Sequence, residues 1–304
     1  MTFFAILAAI LLEYLHPLDP QRLPKLTRPL QYMGEQFNAG AYKHGIVAWL
    51  LVVIPVLIAT SAIYFMFASI SLWLAWLWNI AVLYLSIRFK TSTIAATSIN
   101  RALTENGLSR AQAIFLKWRG IPNAPKDANG LLRASIESLF IDSLRRLCAV
   151  IFWFAILAPL GPIGAVLYRL THIIADEWQP IIFGKFAYSA QRMVYFLDWL
   201  PTRITALSFA IAGNFEDAVY CWRSQATDWG EPNEGILLAS AAGALGVKLG
   251  MPIKFVEGEA WRPEVGLGDE VDSSYLSSTI SLIWRVLTIW LLILLLIALA
   301  KQAG

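Results

Sequence analysis

Charged side chains are scarce in this chain, and their distribution excludes more than any motif does. From Gly45 to Ile87 there is not one Asp, Glu, Lys or Arg. A helix rises about 1.5 Å per residue, so ~20 apolar residues cross a ~30 Å hydrocarbon core, and this run is long enough to cross twice. Over the whole sequence 58% of residues are hydrophobic and 15% charged, against roughly 45–50% and 25% in soluble domains. A mean hydropathy of +0.59 points the same way, and together these values argue against a soluble enzyme. Cysteine is nearly absent. Cys148 and Cys221 have neither CxxC spacing nor nearby histidines, which leaves no disulfide framework and no zinc site. No GxxxxGK[ST] loop occurs, so conventional P-loop binding of ATP is excluded. The net charge is only +3, and no compact Lys/Arg cluster alternates with aromatics, so nucleic acid is not an expected partner.

The long apolar run divides near Ser69 and Ser71 into two spans, Val47 to Phe67 and Leu72 to Ile87, joined by a tight hairpin. Trp49, Trp73, Trp76 and Trp78 fall near their ends, where amphipathic rings favour the headgroup layer. Phe3 to Leu12 has no basic residue ahead of it, which makes it a poor signal peptide and a better short or tilted helix. Leu147 to Leu167 is long enough to cross, but Pro159, Gly161 and Pro162 interrupt it. It is either a kinked span or a re-entrant pair, and freed carbonyls at membrane depth must meet protein or a wet cavity. Gly235, Ala239, Ala242, Gly243 and Gly246 recur at helical spacing in a segment suited to close helix packing. Val286 to Ala300, flanked by Arg285 and Lys301, reads as a final anchor whose basic ends extend toward the headgroups.

Residues 88–146 hold ten Lys/Arg against four Asp/Glu, which places them in the cytoplasm by the positive-inside rule. Periodic apolar residues predict helices over Ser98 to Glu105, Ser109 to Arg119 and Asn129 to Arg146, with Ser109 and Asn129 as N-caps. Residues 169–234 reverse the balance, five against eight, and 251–279 are also acidic. A crossing at 147–167 would put these outside, and a re-entrant hairpin would keep them inside. The expected fold is all-α, a polytopic integral membrane protein of about four to six membrane-associated helices with a cytoplasmic helical insertion. It forms one membrane domain over 1–304. Its parts are the transmembrane hairpin 45–87, the insertion 88–146, a broken-helix and ligand region 147–250, and the anchor 280–300. Segment 203–213, like 3–12, could instead lie flat in the interface.

Several stretches line up in order with one family. Asp19-Pro20 and Arg28-Pro29-Leu30-Gln31-Tyr32-Met33-Gly34 resemble the DP...HPVxxMG signature of the cobalamin-biosynthesis CobD/CbiB family. Arg133 to Ser138 resembles its RAxxES helix. Phe152-Trp153 with Gly161 to Arg169 resembles FW...GGxPGAxxYR. Phe183-Gly184, Pro201 to Leu207, and Pro232-Asn233-Glu234-Gly235 through Gly250 are similar to FG, IPARLTAL and PNxG...AGALGVxLG. There are departures. The acidic ENxVDG after Glu137-Ser138 is replaced by a stretch with Ile141 and Arg145 where the family has carboxylates. GRDT is missing where this chain has Trp118-Arg119-Gly120, and Val194-Tyr195 replace paired aspartates. Asp198 to Arg203, followed by Gly213 to Ala218, looks like the related AmpE branch, linked to beta-lactamase induction.

The CobD/CbiB resemblance implies adenosylcobinamide-phosphate synthase chemistry in the bacterial inner membrane. A corrinoid carboxylate is activated with Mg-ATP and attacked by the amine of aminopropanol phosphate. Such a reaction calls for carboxylates to hold Mg²⁺ and cations to neutralise phosphate charge. Glu137, Asp142 and Asp198 are the candidate catalytic groups, with Arg133, Arg203, Asn233 and Gly235 as substrate or phosphate binders. Bland readings compete. Arg133 and Glu137 are four residues apart and could form only a surface pair worth a few tenths of a kcal/mol. Asp198 and Arg203 could be a structural charge pair at a bend around Pro201, and Asn233 and Gly235 could simply open a helix whose N–H groups otherwise cradle an anion. His172 lacks a second ligand, so no resident metal site is assigned. The expected partners are the lipid bilayer, a corrinoid or a regulatory ligand, and a second copy of the chain in a homo-oligomer. The alternative is an AmpE-like sensor or regulator without synthase activity. A transporter would call for inverted repeats that the sequence does not show.

Overall fold

A computed structural model describes residues 2–18, 27–255 and 258–303. The Asp19-Pro20 pair of the family signature lies outside them. The chain is built almost wholly of helices. In order these are α1 Thr2–Leu15, α2 Thr27–Phe37, α3 Tyr42–Ile70, α4 Leu72–Ser86, α5 Phe89–Thr104, α6 Leu108–Arg119 and α7 Ala128–Ser143. They continue with α8 Ala149–Ile156, α9 Ile163–Glu177, α10 Pro180–Phe183, α11 Ala187–Ala212, α12 Phe215–Gln225, α13 Pro232–Leu245 and α14 Ser273–Ala303. A π turn, Leu144–Cys148, joins α7 to α8. Three stretches, Tyr42–Ile70, Leu72–Thr104 and Ser273–Ala300, are long and apolar enough to cross a membrane, and α1 is a shorter apolar helix. The expected all-α membrane class therefore holds.

Two compact units divide the chain: residues 1–88 with 149–200, and residues 89–148 with 201–304. In the first, the break between α3 and α4 falls at Ser71, whose extended backbone stops the helix and whose hydroxyl accepts from the Trp73 N–H. α1 lies on α4 through buried Ala5, Ile6 and Ala9. The Arg28 to Gly34 stretch forms α2 and docks on the end of α9. Trp178 donates from Nε1 to the Leu30 carbonyl at 2.9 Å, and Thr27 Oγ1 donates to Glu177 at 2.8 Å. Gly34 is required there, because a Cβ would lie 2.8 Å from the Phe183 ring and 2.9 Å from Trp178 Nε1. An indole is buried without cost to its N–H only when a partner is supplied, and Leu30 supplies it.

Residues 147–167 do not form one kinked span. α8 ends at Ile156, a short 3₁₀ turn covers Ala158–Leu160, Gly161 takes φ +83°, and α9 packs back on α8. The two arms approach closely enough that a Cβ on Gly164 would lie 2.0 Å from the Trp153 carbonyl oxygen. Of the two sequence readings, the helical pair is the one observed.

In the second unit, α5, α6 and α7 form a cluster around Ile99, Phe115 and Leu131. The three helices expected over the 88–146 region are present, but not with the expected caps. Asp127 caps α7 by accepting from Gly130 N–H at 2.9 Å, and Gly107 precedes α6. α12 lies on α13 because the small residues leave its backbone uncovered: a Cβ on Gly243 would meet the Asp217 carbonyl at 2.4 Å, and one on Gly235 the Ala226 carbonyl at 2.3 Å. After α13 the chain makes four two-residue strands, with Leu249–Gly250 paired antiparallel to Glu264–Val265 and Ile253–Lys254 to Glu259–Ala260. Pro252, Pro263 and positive φ at Gly250, Met251, Gly266 and Gly268 keep this stretch from being helical.

Candidate functional site

Glu137 sits on α7 and is 3% exposed. Its Oε1 accepts from the Gly250 N–H at 2.9 Å, and Arg262 donates to both carboxylate oxygens. The Arg262 guanidinium also lies over the Trp229 ring, 5.7 Å from its centre. Burial pushes the Glu137 carboxyl above its ordinary range, while Arg262, the Gly250 N–H and Arg133 pull it back. An acid whose folded-state value is raised binds more protons folded than unfolded, so stability falls as pH rises from the unfolded value upward. The Glu137→Gln variant should lose that part of the slope, and thermal unfolding of detergent-solubilised protein from about pH 4.5 to neutrality measures it. A wild-type midpoint that does not decline relative to the variant over this range overturns the expectation.

Arg133, one turn before Glu137, does not pair with it at the surface. Its Nη1 donates to the Gly250 carbonyl at 3.4 Å, and with Asn129, Lys248, Met251, Glu270 and Val271 it lines a small cleft. Lys248 is paired there with Glu264 at 3.1 Å. The geometry brings Arg133 and Glu137 together around the backbone of Gly250, where a Cβ would lie 1.9 Å from the Pro263 carbonyl.

Asp142 is a hub. It accepts from Ser92 Oγ on α5 and from Trp118 Nε1 at 3.1 Å, and its Oδ1 faces Arg119 Nη1 at 3.5 Å and Arg146 Nε at 3.2 Å. Trp118 and Arg119 stand where the family's GRDT is missing, so that departure supplies two of the four partners. The π turn carries both Arg145 and Arg146. Arg146 reaches back to Asp142, and Arg145 pairs with Glu234 at 2.9 Å.

The start of α13 is already capped by carboxylate. Glu231 accepts from the Glu234 N–H at 2.6 Å, Pro232 occupies the first turn, and burial raises the Glu231 carboxyl against that bond. Asn233 is buried and its Oδ1 accepts from Arg203 Nη1 at 3.3 Å. Gly235 is the close contact with Ala226 described above. Arg145, Arg203, Asn233 and Glu234 thus meet around one helix end.

Asp198 belongs to the first unit. Its Oδ1 accepts from the Tyr168 hydroxyl at 2.6 Å and faces His172 Nε2 at 3.2 Å, with the Tyr168 and His172 rings 4.6 Å apart. His172 therefore has an acid partner that sequence reasoning did not assign. Arg262 was also missed, although it is one of only two cations in 251–279. Its partner is far away in sequence, so no local pattern pairs them. Among the described residues, no group of three or more His, Cys, Asp and Glu could hold a metal ion.

The sequence model of the CobD/Cbib protein family matches residues 6–283. The chain is 30% identical over 301 residues to the cobalamin biosynthesis protein CobD of Stutzerimonas stutzeri, covering 96% of this chain and 97% of that one. It is 32% identical over 213 residues to the CobD of Chromobacterium violaceum, covering 69% and 67%. To the cobalamin biosynthesis protein CbiB of Salmonella arizonae it is 24% identical over 311 residues, 95% of each chain. No solved structure matches.

Proposed function

Because the chain belongs to the CobD/CbiB family, we propose that it acts in cobalamin biosynthesis as a multi-pass protein of the bacterial inner membrane, joining aminopropanol or its phosphate to a corrinoid carboxylate through an ATP-driven amide bond. The observation that carries this reading is the match along nearly the whole chain to relatives named for that pathway. ATP supplies the phosphoryl group that makes a carboxylate oxygen a leaving group, lost as phosphate when the amine nitrogen forms the C–N bond.

The chain's own residues support parts of that work. The Arg133 guanidinium, at a narrow cleft shared with Asn129, Lys248 and Glu270, is the kind of group that pairs with a phosphate ester, while Lys248 there is held by Glu264. Tyr168, His172 and Asp198 form a hydrogen-bonded cluster able to hold a proton at His172 Nε2. The carboxylates do not fit a magnesium site as they stand. Glu137 is committed to Arg262 and Gly250, and Asp142 to Ser92, Trp118, Arg119 and Arg146. Glu137 and Asp142 are therefore positioning residues that hold their neighbours in place.

A synthase-deleted strain given cobyric acid should regain growth when it expresses this chain. Failure despite confirmed membrane expression would count against the reading. With purified protein, corrinoid acid, Mg-ATP and aminopropanol phosphate, Arg133→Ala should raise the KM for the phosphate substrate about 10-fold or more, the loss of one charged hydrogen bond. The second reading, an AmpE-like sensor without synthase activity, is favoured by the internal commitment of these carboxylates and by the Arg145–Glu234 pair where the family has an acid at 145. Binding of corrinoid acid with no amide formed would select it.

A further inference from the structure

We propose that the turn between α9 and α11, with Ile181 and Ile182 at its tip, is an interfacial anchor that inserts into the headgroup–acyl boundary of the leaflet where α3 begins. Ile181 is 95% exposed and Ile182 65%, so neither side chain is packed into the protein. The pair is held out by what lies behind it. α10 is a single turn closed by the Ile182 and Phe183 N–H groups, which donate to the Gln179 carbonyl at 3.0 and 2.9 Å, and Gly184 ends it at φ +56°. Phe183 is buried against Gly34, Asn38 Nδ2 donates to the Phe183 carbonyl at 3.4 Å, and the Trp178 and Phe186 rings lie 4.8 Å apart. This backing leaves the two isoleucines no route into the core.

The depth of the turn is set by α3. Gly45 opens the charge-free run, and a Cβ there would collide with the Phe186 carbonyl oxygen and the Ser189 hydroxyl. At the other end of α9, Ser61 Oγ donates to the Leu160 carbonyl at 3.1 Å, and a Cβ on Gly161 would press on the Tyr64 ring. α9 therefore runs antiparallel to α3 between the levels of Tyr64 and Gly45, about 28 Å along the helix and close to the ~30 Å of a hydrocarbon core. The turn that follows α9 emerges where α3 enters the bilayer.

The surroundings of the turn agree with that level. Tyr32 on α2, Tyr42 on α3 and Tyr188 on α11 are exposed, and amphipathic rings of this type collect at the headgroup layer. A lipid boundary suits both sets of side chains, with the isoleucines facing acyl chains and the phenol hydroxyls facing water. Charge contributes little here. On these elements Arg28, Lys43 and Lys185 are offset by Glu35, Asp176 and Glu177, so insertion depends on burying apolar surface and is indifferent to the sign of the headgroup. The proposal rests on the membrane class of the fold and not on the corrinoid reading, and its residues all belong to the first unit.

The test uses the full chain in phosphatidylcholine nanodiscs, with an environment-sensitive dye on Ile181→Cys. Wild type treated in the same way, its two cysteines buried, is the blank. Doxyl groups near the top of the acyl chains should quench the dye, and aqueous iodide should not. A dye on Lys185→Cys should lose roughly half or more of its doxyl quenching when Ile181→Asp and Ile182→Asp are added, because the tip then leaves the boundary. Adding phosphatidylglycerol should change neither reading. Iodide quenching without doxyl quenching puts the tip in water and overturns the proposal. Shielding from both quenchers overturns it in favour of contact with a second copy or another protein. Doxyl quenching that requires phosphatidylglycerol overturns it in favour of an electrostatic site. If the double aspartate variant does not fold, the Ile181→Cys reading decides alone.

Discussion

Asp142→Ala should destabilise the protein by about 3–5 kcal/mol, the usual result of removing one partner from a buried ion pair. The carboxylate is 3% exposed and holds residues from α5, α6 and the π turn. Without it, Arg119 and Arg146, each about a quarter exposed at the side chain, face one another with no counter-charge, and the Ser92 hydroxyl and the Trp118 N–H lose their acceptor. Leaving charges unpaired in a desolvated place costs more than the pair contributed. Thermal unfolding in detergent measures the loss, and an Asp142→Ala protein that melts with the wild type would show that the hub does not hold these helices.

The same position separates positioning from catalysis. Neutralising both cations as well, in Asp142→Ala with Arg119→Met and Arg146→Met, should recover much of the lost stability, because no isolated charge remains. If Asp142 only positions its neighbours, growth on cobyric acid recovers with the fold. If it touches substrate, stability returns and growth does not.

Gly164→Ala should be nearly as damaging, at about 3 kcal/mol or more, the upper end of the cost of overpacking. The new methyl would stand 2.0 Å from the Trp153 carbonyl oxygen and 2.4 Å from its carbon. Those are backbone atoms of α8, which cannot turn aside as a side-chain tip can. The arms of the α8–α9 hairpin must separate, and Gly161, with φ +83° and a Cβ position 2.5 Å from the Tyr64 ring, leaves the turn little room to adjust. A melting temperature within a degree or two of wild type would mean that the arms lie farther apart. The Gly161→Ala variant should fall in the same direction, since alanine disfavours that φ.

Much of the architecture was legible from sequence because its causes are local. The absence of charge from 45 to 87 is enough to give two apolar helices, and Ser71 marks the break because a serine can stop one helix and cap the next. The three helices of 88–146 followed from the period of Leu, Ile and Ala. Their caps did not, since Gly107 and Asp127 were passed over for Ser109 and Asn129, each two positions later. Pro159, Gly161 and Pro162 signalled an interruption at 147–167 but not its angle. A kink and a reversal use the same breakers, and only the contact of Gly164 with Trp153 distinguishes them.

The candidate site was legible in its residue types and not in its pairings. Glu137, Asp142, Asp198 and Arg203 stood out in the sequence as candidate groups, and each is buried or hydrogen-bonded in the folded protein. It offered Arg133 as the partner of Glu137 because four residues on a helix is a local distance. The tertiary structure gave that place to Arg262, 125 residues away. Hydropathy and periodicity are sums over neighbouring residues, so the chain alone fixed its membrane character and its helices. Which arginine meets which carboxylate depends on loops closing over long separations, and only the packed fold decides that.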